Sequence, residues 1–276
     1  MGEIKELTLQ ELQQVSLDIL KDVHAFCTER GIRYSIAYGT LIGALRHKGF
    51  IPWDDDVDIV MPRPDYERFC KEYYSDKLRL IYYGNDKTAL AAFARVVECN
   101  RTGYQTERPW TAQPSGLWID IFPLDGVVNQ KEYSRRYKHL KRISWVVYKF
   151  RRQNHHIVAT DSLWSKIKTV VARVIGLNGW LPAVLLKRIE AIMTRYSYED
   201  CVEYGQMSCL DDGPILFSKE DFRDTELFDF EDCRFCAQNG YDRVLRQLYG
   251  DYMQLPPEDK CHPKQYWIKF YWKDNG

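Results

Sequence analysis

Nowhere do the 276 residues run eighteen apolar positions without interruption, so no membrane-spanning helix is expected. The longest candidate, Thr169 to Leu186, is interrupted by Arg173, Gly176, Asn178, Gly179 and Pro182 and reads as helix, break, helix. Met1 to Gln10 lacks the apolar core of a secretion leader, which makes a cytoplasmic location the expectation. Internal repeats and low-complexity linkers are missing too, which argues against a repeat array. Zinc-type spacing is confined to one CxxC, Cys233 to Cys236, with Cys261 and His262 downstream. A single CxxC is a weak zinc signal. The eight scattered cysteines are expected as reduced, buried or free thiols.

Net charge is also missing, with 39 basic and 39 acidic residues, but the balance hides an asymmetry. Lys131 to Arg173 holds twelve Lys or Arg against two acids, Glu132 and Asp161. The segment is therefore about ten units positive and the remainder about ten units negative. Such a segment suits an anionic partner: a membrane surface, a phosphate-bearing substrate or nucleic acid. A solvated basic helix face is the plainer alternative. Nothing beyond charge supports nucleic acid, which is not expected as a partner. Lys141 to Phe150 mixes cations with Trp145 and aliphatic residues, the composition of an interfacial helix on an anionic leaflet.

What is present suffices for a sizeable core: 45% hydrophobic residues, with 28% charged. Residues 8–30 predict an amphipathic helix, capped by Thr8 with Glu11 as the capping-box partner, apolar at Leu12, Val15, Ile19, Val23 and Phe26, and ended by Gly31. A short strand is expected over Ile32–Tyr38, then a helix opening at Gly39 with Arg46, His47 and Lys48 in its last turn. Strands are expected at Asp56–Met61, 78–83, 90–98 and Leu117–Phe122, the last stopped by Pro123. A helix at 65–74 lies between the first two. Residues 131–152, 162–175 and 182–196 predict helices, 200–232 an irregular acid-rich stretch, and 240–249 a last short helix. The expected fold class is α/β (α+β): a mixed sheet with flanking helices over 1–128 and a mainly helical region over 129–276, packed as one unit.

The chemistry concentrates at Asp54-Asp55-Asp56-Val57-Asp58-Ile59. On a strand, Asp56 and Asp58 share a face, about 7 Å apart, while Val57 and Ile59 turn to the core. Left uncompensated they repel, and a divalent cation is the natural remedy. A third acid, Asp120, interrupts the apolar run Leu117-Trp-Ile-Asp-Ile-Phe122. A lone carboxylate in a buried strand is costly without a partner, and a metal shared with Asp56 and Asp58 supplies one. Three such acids with Mg²⁺ (or Mn²⁺) orient a phosphate and lower the pKa of an attacking hydroxyl. Tyr38-Gly39-Thr40 at a strand-to-helix junction adds an approach for phosphate to free backbone N–H groups. Arg46 is the candidate donor-phosphate contact. His47 is a hydrogen-bonding residue or an acid–base group. Arg95 and Arg101 are expected to pair with acids.

Together these residues resemble the nucleotidyltransferase superfamily, and the segment Tyr38-Gly39-Thr40 through Trp53-Asp54-Asp55-Asp56-Val57-Asp58-Ile59 is similar to the hallmark of the LicD family. Asp65-Tyr66, Trp118 to Asp125, and Tyr249 to Pro257 with His262 fit it as well. The resemblance covers about 35–125 and 240–265 and leaves the basic middle unexplained. LicD-like proteins are similar to transferases that place phosphocholine from CDP-choline on teichoic acid or lipopolysaccharide, and their fukutin-like relatives transfer ribitol phosphate. The resemblance implies Asp56, Asp58 and Asp120 as metal ligands, with Asp120 beside the acceptor hydroxyl. It implies Gly39, Thr40, Arg46, His47, Trp53 and Asp54 as substrate contacts. CMP would leave and a phosphodiester remain. The acceptor would be a cell-surface glycan, lipid-linked in many members, so docking of 131–173 on the inner leaflet fits. The alternatives are a nucleotidyltransferase releasing pyrophosphate from an NTP, and a non-catalytic glycan- or membrane-binding module.

Overall fold

The computed structural model describes residues 5–86, 89, 91–106, 116–155, 164, 177–208, 210, 213–263 and 268–273, with backbone alone at 148–155, 177–180, 182 and 260. The chain begins with helix α1 (Leu9–Arg30), whose Thr8–Glu11 capping box and left-handed Gly31 C-cap form as the sequence requires. Strand β1 (Ser35–Ile36) leads into α2 (Tyr38–His47). Then follow β2 (Asp58–Pro62), α3 (Arg63–Glu72), β3 (Arg79–Ile81), β4 (Ala94–Glu98), β5 (Thr102–Thr106) and β6 (Leu117–Val127). Two long helices, α4 (Gln130–His155) and α5 (Leu177–Met193), precede a return to strands: β7 (Glu203–Gln206), β8 (Phe217–Ser218), β9 (Thr225–Phe230) and β10 (Cys233–Gln238). Helix α6 (Tyr241–Tyr249) and β11 (Ile268–Trp272) complete the described chain.

The main sheet runs β1-β2-β6-β4-β3, with β7 and β8 added along the far half of β6. It is mixed: β2 and β6 are parallel, and the other pairs are antiparallel. The expectation that Pro123 stops β6 fails for a geometric reason. One edge of β6 pairs with β4 up to Ile121 and with β7 from Leu124. Pro123 falls in the gap between those partners, where its missing N–H costs no ladder bond.

Two other expectations are corrected. Residues 200–232 are not irregular, since they contain β7, β8, a 3₁₀ turn (Lys219–Phe222) and most of the β9–β10 hairpin. Strand β11 pairs with β5 and is bridged at Tyr271 to Glu6. The helix expected over 182–196 runs instead from Leu177 to Met193. The helix expected over 162–175 lies outside the described residues, apart from the helical Trp164.

The principal core joins α1 (Val15, Ile19, Leu20, Val23) to the sheet (Ile59, Met61, Val96, Ile119, Ile121) and to Phe230 and Phe235 of the hairpin. Burying each such aliphatic side chain contributes about 1.5–3 kcal/mol. A second core seals α4 to α5 through Tyr133, Tyr137, Leu140, Leu186, Ile189 and Met193. Buried ion pairs tie these two parts together. Arg63 of α3 meets Asp125 of β6 at 2.7 Å and Glu190 of α5 at 2.9 Å. Burial raises the carboxyl pKa of Asp125 and Glu190, and Arg63 opposes both shifts. Among the described residues no helix is long and apolar enough to cross a membrane.

Candidate active site

The site grows from the β1–α2 turn and the start of β2. Tyr38 opens α2 with a positive φ of 50°, a costly conformation for an aromatic residue. Its hydroxyl reaches across to Gln206 of β7. Gly39 follows in close contact with the acid: a Cβ there would lie 2.5 Å from Asp54 Oδ2, so the carboxylate would have to shift. Thr40 is buried, and its Oγ1 accepts from the Asp58 amide at 3.0 Å. The expected phosphate turn is thus built into the acidic strand, with Thr40 fixing where Asp58 begins.

The loop before β2 is held from outside. The Gln13 side chain donates to the carbonyl oxygens of Asp54 at 2.9 Å and Ile51 at 3.4 Å. Glu231, in the β9–β10 turn, donates its amide to Lys48 O at 2.7 Å and accepts from the Phe50 amide at 3.0 Å. Asp54 and Asp55 are consequently only 6% and 9% exposed. One carboxylate oxygen from each of Asp54, Asp55 and Asp56 lies within 4.8 Å of the others. These are hard oxygen donors, the type that suits Mg²⁺ or Mn²⁺ rather than a thiolate-seeking metal. Among the described residues this is the trio of metal-capable groups that converges so closely, and it differs from the expected Asp56, Asp58 and Asp120.

Asp58 and Asp120 are nevertheless neighbours, as register partners on the parallel strands β2 and β6. The Asp120 amide donates to Val57 O at 3.0 Å, locking that register. On its other side Asp120 meets Arg95 of β4, its antiparallel register partner, with Nε 2.5 Å from Oδ1. The Arg95 guanidinium lies 5.1 Å from the Phe93 ring and 4.9 Å from Trp118, which restrains its orientation. Arg101 pairs with Glu98 and Asp18, so both arginines are paired as expected.

A cleft of about 500 Å³ opens beside Gly39 and Asp54, walled by Trp53, Arg46, Tyr249, Asp251, Tyr252 and Pro256. Arg46 does not project freely into it. Its Nη1 donates to Tyr252 O at 3.1 Å and Gln254 O at 3.2 Å, and its Nε is buried without a partner among the described residues. His47 is exposed at the last position of α2. Partial burial and then the adjacent Arg46 charge hold its pKa below the ordinary value. Sequence reasoning missed Asp55, although it stands in the acidic run, and missed Tyr252 and Asp251 as cleft walls, although their motif was visible.

The CxxC forms no zinc-type cluster among the described residues. Cys233 and Cys236 are three apart on β10, and strand alternation sends them to opposite faces. No cluster of three metal-capable groups includes them, Cys261 or His262 among the described residues.

The family model described as LicD/FKTN/FKRP, nucleotidyltransferase domain, matches residues 31–158. The chain is 34% identical over 270 residues, covering 94% of it and 97% of the relative, to the lipopolysaccharide cholinephosphotransferase LicD of Haemophilus influenzae. An uncharacterized protein of Rickettsia typhi is 41% identical over 69 residues, 25% of this chain and 22% of that protein. The matched span holds α2, the acidic loop, β2, β4 and β6, the elements that carry Asp54, Asp56, Asp58, Arg95 and Asp120, and the chain belongs to the LicD family.

Proposed function

We propose that the protein transfers phosphocholine, or a similar phospho-substituent, from a CDP-activated donor to a hydroxyl of a cell-surface glycan, releasing CMP. The observation that carries this reading is the register pairing of Asp58 with Asp120, next to the Asp54–Asp56 trio and with Arg95 clasping Asp120. The name of the Haemophilus relative supports choline as the substituent and lipopolysaccharide as the acceptor.

In this reading the acceptor hydroxyl approaches Asp120. Arg95 fixes one carboxylate oxygen, and the other takes the hydroxyl proton. The acceptor oxygen then bonds to the distal phosphorus, the bond from that phosphorus to the bridging oxygen breaks, and CMP leaves with the electron pair. Asp56 with Asp58 and Asp120, or with Asp54 and Asp55, would hold a Mg²⁺ or Mn²⁺, which when bound neutralises charge on the phosphoryl oxygens. The cleft offers Trp53 and Tyr252 beside the Asp54 carboxylate, a setting suited to a quaternary ammonium. Arg46 braces the cleft wall through Tyr252 and Gln254, and Gly39 leaves room for Asp54.

The outward stripe of α4, Lys138, Lys141, Arg142 and Trp145, is exposed, with Trp145 at 57%. That stripe would rest on an anionic inner leaflet, where lipid-linked acceptors are met by a peripheral enzyme. The reading is tested by CMP release from CDP-choline with and without chelator. Pyrophosphate from an NTP in place of CMP would make the protein a nucleotidyltransferase.

A further inference from the structure

Away from the acidic site, α4 and α5 pack along their apolar seam. Beside that seam runs a second pair of stripes. Glu132, Arg135, Arg136 and His139 follow helical spacing on α4, and Arg188, Ala191, Ile192 and Arg195 follow it on and just beyond α5. With Tyr196 they line a hollow of about 350 Å³.

The floor of this hollow is rigid. Arg136 is 4% exposed, donates Nη2 to Gly126 O at 2.9 Å, and donates Nη1 to Ile192 O and Met193 O at 3.3 Å each. Its Nε holds Glu132 at 2.9 Å, so the one carboxylate of the hollow is already engaged, and its guanidinium lies 5.0 Å from the Tyr196 ring. Arg135, Arg188 and Arg195 are exposed at the rim, and none of them has a carboxylate partner among the described residues. Like charges gathered around one concavity repel unless an anion lies between them. The lining cations are arginines, with His139 beside them, whereas Lys131, Lys138 and Lys141 of the same helix lie outside the hollow. Diffuse attraction to a membrane needs charge alone. A ring of planar forks around a cavity suits bidentate capture of a discrete tetrahedral oxyanion.

We propose that this hollow binds a phosphate group of a phosphorylated saccharide. It is not the donor site. Gly126, which anchors the floor, is six positions along β6 from Asp120, roughly 20 Å at strand rise. That span matches an extended acceptor carrying a phosphate remote from the reacting hydroxyl. The assignment to the acceptor rests on the transferase reading, whereas the binding of phosphate itself does not.

The test is titration calorimetry of the full chain with inorganic phosphate and with glucose 1-phosphate, and flotation with phosphatidylglycerol vesicles, for wild type and Arg188→Ala/Arg195→Ala. Both substituted residues are exposed, and an unchanged Tm verifies folding. The expected result is sugar-phosphate binding that weakens about tenfold or more in the variant, and in turnover an acceptor KM raised more than kcat is lowered. Equal affinity in the variant would put the anion elsewhere and overturn the proposal. Binding to vesicles without binding to the sugar phosphate would overturn it in favour of a membrane-facing patch. Absence of turnover with every donor, alongside the expected binding result, would count against the transferase reading while leaving the phosphate site standing.

Discussion

Asp58 and Asp120 face each other across the parallel β2–β6 ladder, and Arg95 reaches Asp120 from the opposite edge. Register partners on adjacent strands are about 4.8 Å apart, and like charges held that near repel unless a cation lies beside them. Arg95 is such a cation for Asp120. If Asp120 serves as the base, Asp120→Asn keeps the shape and removes proton acceptance. CMP release is expected to fall by about 10²–10⁴-fold, far more than the drop in Tm from losing the Arg95 ion pair accounts for. Wild-type rates in the variant would exclude Asp120 from the chemistry.

Arg95 has a different signature. Arg95→Met keeps stacking volume between Phe93 and Trp118 but leaves Asp120 without its cation. Both partners retain some exposure, so the expected loss is at the low end for a broken buried pair, about 3 kcal/mol. Urea unfolding measures it. Coupling is tested by the cycle with Asp120→Asn: the double variant should be more stable than additivity predicts. Simple additivity would mean that the pair contributes nothing jointly.

Gly39 tests the link between backbone and acid. In Gly39→Ala the new methyl would sit 2.5 Å from Asp54 Oδ2, so the carboxylate must move. Activity is expected to fall about tenfold or more, since misplacement of order 1 Å at a site is that costly, whereas Tm falls by only a few degrees. Alanine at the neighbouring Gly43 would instead meet the backbone oxygen of Gly49, which a carboxylate rotation cannot relieve. Its larger effect on Tm than on activity separates packing from catalysis. The reverse order of effects would contradict this account of Gly39.

His24 gives a pH handle on stability. Its Nδ1 lies 2.6 Å from the Tyr34 hydroxyl and its ring meets Phe235 edge-on. Burial lowers its pKa from 6.5. The unfolded chain therefore binds the proton more readily, and His24 contributes stability above pH 6.5 that is lost as pH falls through the lowered folded pKa. Between about pH 7.5 and 5.5, the Tm of wild type should drop more than that of His24→Gln. Parallel decreases would assign the acid sensitivity to other groups.

Local signals made much of this legible in sequence. The α1 cap follows from short-range chemistry and is found where the sequence puts it; Gly39 lies against the acidic run, but β2 begins at Asp58 and the converging trio is Asp54, Asp55 and Asp56. Features that depend on distant partners were not legible. Whether Pro123 ends a strand depends on where β4 stops and β7 starts. Strand β9 carries Glu226 and Asp229, yet its pairing with β10 carries Phe230 and Phe235 into the α1 core. The inclusion of Asp55 in the converging trio required the loop geometry that Gln13 and Glu231 impose.

The most direct test of the central claim is CMP release from a panel of CDP-activated donors with Mg²⁺ or Mn²⁺ and a glycan extract, comparing wild type with Asp58→Ala. Release from one donor, abolished by the substitution and by chelator, is the predicted result and would identify the substituent. No CMP from any donor, or release undiminished in Asp58→Ala, would contradict the account.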